Sequence, residues 1–139
     1  MSREPDVNDR VELFVNGTLM RGEELHRNLE RARFVREART APRYRLYSIG
    51  DVHPGMLPAD ADAGGVSVAG ELYRLDLEHL EQLVADEPPG LGVGVVELDD
   101  GRRTLGVFWA ALELPDAAAD ISEFGGWRAY RASLNPTGR

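Results

Sequence analysis

Residues 11–22 read VELFVNGTLMRG, and this stretch sets the first unit of the fold. The run 11–15 is apolar and β-prone, which predicts a buried strand. Residues 16–22 are turn-forming. From Glu23 the apolar period changes, and one helical face would carry Leu25, Leu29 and Ala32. The sequence therefore predicts a strand, a glycine loop and a helix, in that order.

Five further segments read as strands, each bounded by turn-forming residues. They are 34–39, 43–49, 67–75, 93–98 and 104–114. Residues 50–58, GDVHPGMLP, are broken by glycine and proline and are predicted to form a loop. The sequence favours an α+β fold: a small, curled, barrel-like sheet, mixed or antiparallel, with two or three short helices.

Two helix starts carry capping residues. Asp76 is expected to cap a helix that stops at Pro88-Pro89-Gly90. Asp120 and Glu123 fit a cap pair for a last short helix near residues 126–134.

Composition limits the function classes. The 139 residues suit one domain, expected over 11–139 after a flexible tail at 1–10. The formal net charge is −8, and Lys and Cys are absent. Lysine Schiff bases, P-loops, thiol nucleophiles and Cys-ligated metals are therefore excluded, and the acidic balance argues against nucleic acid.

Two absences bear on location and partners. No apolar run is long enough to cross a bilayer, and residues 1–10 lack a signal-peptide core. We therefore expect a cytoplasmic protein without a membrane partner, acting on a small molecule as a monomer or a homodimer.

Two features offer groups that suit chemistry. The loop after the first strand presents backbone N–H groups and a hydroxyl that suit an anion or a developing oxyanion; it consists of Asn16, Gly17, Thr18 and Leu19. An ordinary glycine turn is the alternative. Glu87, beside Asp86, ends the second predicted helix at the negative end of its dipole. This position should raise its pKa toward the range of a general acid/base, unless the pair is simply solvated.

The three histidines differ in their surroundings. His79 stands among glutamates in a predicted helix and is expected to be exposed, whereas His26 is ambiguous. His53 lies in the Pro/Gly loop and is the better site candidate. Their spacing favours no metal site.

The order of several motifs resembles a known family. The motifs are LFVNGTLMRG (13–22), ARTAPRYRLYSIG (38–50), HPGMLP (53–58), VAGELYRL (68–75) and LVADEP (83–88). They resemble the γ-glutamylcyclotransferase-like superfamily. The resemblance implies that Glu87 is the catalytic acid/base and that the loop at Gly17, Thr18 and Leu19 holds substrate. We add Asn16, His53, Pro54 and Gly55 to the expected substrate-binding set.

In that family, the α-amine of a γ-glutamyl group attacks its own γ-carbonyl, releasing 5-oxoproline and an amine without a cofactor. This chain departs from the pattern at Asn16, Val84 and Pro88, where the family carries Tyr, Asp and Gly. Residues 88–101 and 120–130 instead resemble the C-terminal domain of allophanate hydrolases. Leu19 stands where that domain has a histidine, and we expect a free-standing relative without the amidase domain.

Three functions remain open at this stage. The first is cyclotransfer of a γ-glutamyl amide, with Glu87 as proton shuttle; Arg43 or Arg45 would bind the α-carboxylate if one faced inward. The second is decarboxylation or processing of a carbamate or ureido metabolite, favoured by a pocket too short for a glutamyl group. The third is a non-catalytic binding or assembly module, with Trp127 and Tyr130 on a partner surface.

Overall fold

The computed structural model describes residues 10–134. The strands in this range are β1 (Arg10–Val15), β2 (Arg33–Arg39), β3 (Tyr44–Ile49), β4 (His53–Pro58), β5 (Ala69–Asp76), β6 (Leu91–Glu97), β7 (Arg103–Trp109) and β8 (Ala118–Asp120). The α-helices are α1 (Leu77–Asp86) and α2 (Trp127–Ser133), and single 3₁₀ turns occupy His26–Leu29, Ala61–Ala63 and Ser122–Phe124.

The strands form two sheets. The larger has the order β2-β5-β1-β7-β6 and is mixed, because β1 runs parallel to β7 and antiparallel to β5. The smaller is antiparallel, with the order β4-β3-β8. The α+β class with a mixed sheet and short helices is confirmed.

Strand β1 lies at the centre of the larger sheet. Leu13 faces Tyr73 of β5 on one side and Leu105 of β7 on the other. Leu13, Phe14 and Val15 are all buried. Burial on both faces explains why residues 13–15 of the strand are continuously apolar rather than alternating.

The helix predicted from Glu23 is wrong: the segment holds turns and the 3₁₀ turn His26–Leu29. Gly22 has a positive φ of 81°, which breaks a helix before it can start. The N–H of Leu25 donates to the preceding loop, at Thr18 O, over 2.8 Å. The N–H groups of residues 26, 28, 30 and 32 each donate to the carbonyl three residues back, which is the 3₁₀ spacing and not the α-helical one.

The loop predicted over 50–58 is also wrong, because residues His53–Pro58 form β4. Its prolines are tolerated since β4 is an edge strand, where one row of backbone groups needs no partner. The connection to β3 is the three residues 50–52. The N–H of Val52 donates to Ile49 O at 3.1 Å, and the two central residues of this turn, Gly50 and Asp51, both have positive φ, as in a type I′ turn.

The two predicted caps have different outcomes. Asp76 caps α1 as expected, its Oδ1 accepting the N–H of His79 at 2.8 Å. Asp120 Oδ1 accepts from the N–H of Ser122, so it caps the short 3₁₀ turn, and α2 starts later, at Trp127. The predicted tail falls almost wholly on residues 1–9, outside the described residues.

None of the helices between residues 10 and 134 combines the length and apolar character that a membrane crossing requires.

Candidate functional site

One small cavity brings together most of the residues singled out in the sequence. Its wall includes the loop 16–19, His53, Pro54 and Glu87, together with the apolar side chains Val15, Leu91 and Val107. The cavity volume is about 10 Å³, which is space for about one water molecule. Gly55 is the exception: it lies outside this wall, and a Cβ there would meet Trp109 at 3.2 Å.

The loop is held by its carbonyl groups. The carbonyl oxygens of residues 17–19 contact, in order, the N–H of Met20 at 3.0 Å, the N–H of Leu25 at 2.8 Å and Nδ1 of His26 at 3.0 Å. Across residues 10–134, the N–H groups of Gly17, Thr18 and Leu19 make no hydrogen bond. A short run of unpartnered backbone N–H groups is suited to bind an oxyanion or a carboxylate.

Gly17 allows the loop to approach β4. A Cβ at this position would lie 2.5 Å from both Cδ and Cγ of Pro54. Such a distance is far inside van der Waals contact, so a larger residue would push the two walls of the cavity apart. The glycine is therefore required by close packing and not by its φ.

Glu87 reaches the cavity from the end of α1. It is the C-cap residue, and its backbone is extended (φ −68°, ψ 150°), as expected immediately before a proline. Its side chain is half-buried, and Oε2 is buried without a hydrogen-bond partner among the described residues. Burial, with a smaller contribution from the neighbouring Asp86 charge, raises the pKa of Glu87 to about 7. A carboxyl group with this pKa can both donate and accept a proton near neutrality.

The other polar residues of the wall bond within the protein. His53 is buried, with Nδ1 3.0 Å from the carbonyl oxygen of Pro54, and Asn16 Nδ2 donates to Met56 Sδ at 3.3 Å. Arginine side chains are absent from the cavity wall as far as residues 10–134 show. Arg43 and Arg45 pair with Glu97 and Asp120 and do not line it.

Several sequence interpretations change here. His79 is buried rather than exposed, with Nε2 2.7 Å from the carbonyl oxygen of Asn28. Trp127 is 1% exposed and belongs to the core. Between residues 10 and 134, no group of three His, Cys, Asp or Glu side chains is placed to hold a metal ion.

The sequence interpretation missed a second carboxylate, Glu71 on β5. It is fully buried and accepts hydrogen bonds from Arg21, Tyr73 and Arg128. A signal was available: by strand alternation, Glu71 shares a face with Tyr73 and Leu75, and a charge on a buried apolar face requires partners.

Comparison with known proteins agrees with this fold. The family model "Allophanate hydrolase C-terminal domain" matches residues 11–132. A urea amidolyase of Lachancea kluyveri is 27% identical over 136 residues, which are 92% of this chain but only 7% of that protein. A putative gamma-glutamylcyclotransferase of Vibrio cholerae is 38% identical over 71 residues, covering 51% of this chain and 56% of that protein. The crystal structure of a uropathogenic E. coli-specific protein matches with a TM-score of 0.83 and 43% identity, covering 88% of this chain and 96% of that one.

Proposed function

Since this chain belongs to the allophanate hydrolase C-terminal domain family, we propose that it is an enzyme in which Glu87 exchanges a proton with a nitrogen of a small carbamate- or amide-like substrate. One observation carries the proposal. The unpartnered Oε2 atom belongs to a residue that lines the same cavity as the unpartnered N–H groups of residues 17–19. A buried carboxyl oxygen without a partner destabilises the fold, and a proton or a substrate donor would satisfy it.

Decarboxylation of an N-carboxylated amide or carbamate is the reaction we favour. The loop N–H groups would hold the substrate carboxylate while protonated Glu87 donates to its nitrogen. The C–N bond then breaks, its electron pair goes to nitrogen, and carbon dioxide leaves. The Glu87 carboxylate regains a proton from water. The pKa of about 7 supports this step, because much of Glu87 is protonated at neutral pH.

The dimensions and charge of the cavity support the same choice. A volume of about 10 Å³ admits either substrate only if the walls part, and a small planar group requires less opening than a glutamyl chain. Among residues 10–134, no arginine lines the wall to pair with a glutamyl α-carboxylate, and Nδ1 of His53 already contacts the Pro54 carbonyl oxygen.

Cyclotransfer of a γ-glutamyl amide is the second candidate, favoured by the likeness to the Vibrio cholerae protein. Glu87 would then act as a carboxylate. It would take a proton from the attacking α-ammonium and return it to the leaving nitrogen, while the new C–N bond closes 5-oxoproline.

The two reactions predict opposite pH profiles, because they need opposite forms of Glu87. We would assay carbon dioxide release from N-carboxycarbamate generated in situ, relative to buffer, and 5-oxoproline release from a panel of γ-glutamyl amines. Decarboxylation should lose kcat/KM as pH rises through about 7, and cyclotransfer should lose it as pH falls through about 7.

Glu87→Gln tests the role of the carboxyl group. We expect turnover to fall by roughly 10²–10⁴-fold, because the amide keeps the size but cannot transfer a proton. Asp86→Asn is the matched control: it should keep turnover and move the pH limb to lower pH, since the Asp86 charge contributes to the raised pKa. Full activity of Glu87→Gln would remove Glu87 from the mechanism.

A further inference from the structure

The carbonyl oxygens of residues 17–19 are held by two kinds of group. Backbone N–H groups occupy the carbonyl oxygens of Gly17 and Thr18. A side chain occupies the third, since Nδ1 of His26 lies 3.0 Å from Leu19 O. His26 is not part of the cavity wall, so its contact with the loop is made from behind the site.

His26 is itself supported by the strand beside it. Its ring lies 6.0 Å from the ring of Tyr73, centroid to centroid, at an interplanar angle of 53°. The Tyr73 hydroxyl donates to Glu71 Oε1 at 2.9 Å, and the N–H of Arg21 donates to the same oxygen at 2.9 Å. The segment following the loop is therefore fixed to β5 at two points, through His26 and through Arg21.

We propose that His26 is a positioning residue for the loop: its Nδ1–H holds the Leu19 carbonyl, so that the N–H groups of residues 17–19 stay available to an anionic substrate group. The inference rests on the proposed function of this cavity. The N–H and C=O of a peptide unit point in opposite directions, so a carbonyl fixed behind the loop fixes the orientation of its peptide. The same peptide carries the N–H of Met20, which closes the turn on Gly17 O.

The proposal fixes the tautomer of His26. A carbonyl oxygen can only accept a hydrogen bond, so the neutral ring must carry its hydrogen on Nδ1. The ¹⁵N spectrum of the wild-type imidazole should show this tautomer. A neutral ring protonated on Nε2 alone would overturn the proposal without any variant.

Two variants separate the hydrogen bond from the shape of the ring. His26→Phe keeps an aromatic ring against Tyr73 but loses the donor, whereas His26→Asn keeps an N–H close to the position of Nδ1. We would titrate each protein with acetate, as a probe carboxylate, and follow the ¹⁵N-¹H resonances of Gly17, Thr18 and Leu19. His26→Phe should weaken acetate binding by roughly 3- to 10-fold, the value of one hydrogen bond, and His26→Asn should stay within about twofold of wild type.

His79→Phe is the matched control, because His79 makes a similar ring-to-carbonyl contact at Asn28, outside the loop. It should leave acetate binding unchanged. Equal affinities of wild type and His26→Phe, equal losses in His26→Phe and His26→Asn, or no acetate response of the wild-type loop would each overturn the proposal. The readout needs no turnover, so a failure of the proposed reaction remains distinguishable from a failure of this role.

Discussion

Two glutamates of this protein are withdrawn from water, with opposite results. Burial alone would raise the pKa of Glu71, but hydrogen bonds from Arg21, Tyr73 and Arg128 outweigh it and lower the pKa below its ordinary value. Glu87 is less buried, yet its Oε2 has no partner in the described chain, and its pKa rises to about 7.

The difference shows that partners, more than burial, set the charge of a carboxyl group in this fold. Glu71 is satisfied by donors from the loop segment, β5 and α2, and it joins these three elements. Oε2 of Glu87 is left without a hydrogen-bond donor among the described residues, and a proton or a substrate donor can satisfy it. We therefore expect Glu71 to serve stability, whereas Glu87 is the residue to which the proposed function gives a reactive role.

The largest effect on stability is expected from Glu71→Gln. The new amide group places an N–H donor among the donors of Arg21, Tyr73 and Arg128. Buried hydrogen bonds to a charged group are lost, and we expect the free energy of unfolding to fall by about 3 kcal/mol. Denaturant titration at neutral pH measures it. Glu37→Gln is the matched control, since Glu37 pairs with the same Arg21 but is 76% exposed, and it should cost less than about 1 kcal/mol. A loss in Glu87→Gln as large as that in Glu71→Gln would break the comparison.

Gly17→Ala should have the next largest effect, at the wall shared with Glu87. The added Cβ meets the Pro54 ring at 2.5 Å, so we expect a loss of about 1–3 kcal/mol in unfolding free energy. Acetate binding at the loop should weaken with it. Gly94→Ala, whose Cβ would meet only the Phe108 ring edge at 3.2 Å, should be milder. A Gly17→Ala protein with wild-type stability would show that the loop does not depend on this close approach.

The smallest effect is the pH dependence of stability, where the two glutamates should act in opposite directions. The folded protein holds the Glu87 proton more tightly than the unfolded chain does. The contribution of Glu87 to the free energy of unfolding therefore falls as pH rises from about 4.5 to about 7. The Glu71 contribution is instead present above its ordinary pKa and is lost as pH falls through its lowered folded value.

Glu87→Gln removes the fall in unfolding free energy that Glu87 causes as pH rises toward neutrality. Relative to wild type, the variant should gain about 1–2 kcal/mol of unfolding free energy between pH 5 and pH 8, after allowance for solvent screening. Denaturant titrations of both proteins at the two pH values measure this gain. A constant difference between them would mean that the pKa of Glu87 is not raised in the folded protein.

Local sequence patterns predicted the elements whose structure is decided by local interactions. β1 follows from its apolar run, and the start of α1 follows from the side chain of Asp76 three residues before the N–H that it caps. The helix expected after Glu23 fails because Leu25 and His26 bind the loop instead, a tertiary contact that helical periodicity does not encode. β4 was missed because the tolerance of an edge strand for proline depends on where the strand lies in its sheet.

The direction of the Glu87 pKa shift and most of the cavity wall were predictable from the sequence, but the partners of the buried carboxyl Glu71 were not. The loop and Glu87 follow from the motif order, and the structure places them on one cavity. Whether a carboxyl group is satisfied depends on residues distant in the chain: Arg21 and Arg128 lie 50 and 57 positions from Glu71. His79 was misjudged for the same reason, since its carbonyl partner, Asn28, is 51 positions away.

The central place of β1 also determines when the larger sheet can form during synthesis. β1 is made first, yet its parallel partner β7 begins only at Arg103, so the sheet must wait for a distant segment before it can close. Contacts of this separation slow folding relative to a helical protein of equal length. Val107 of β7 completes the wall beside Glu87. A nascent chain that ends before β7 lacks this part of the wall, and we expect the full rise in the pKa of Glu87 only after β7 has joined the sheet.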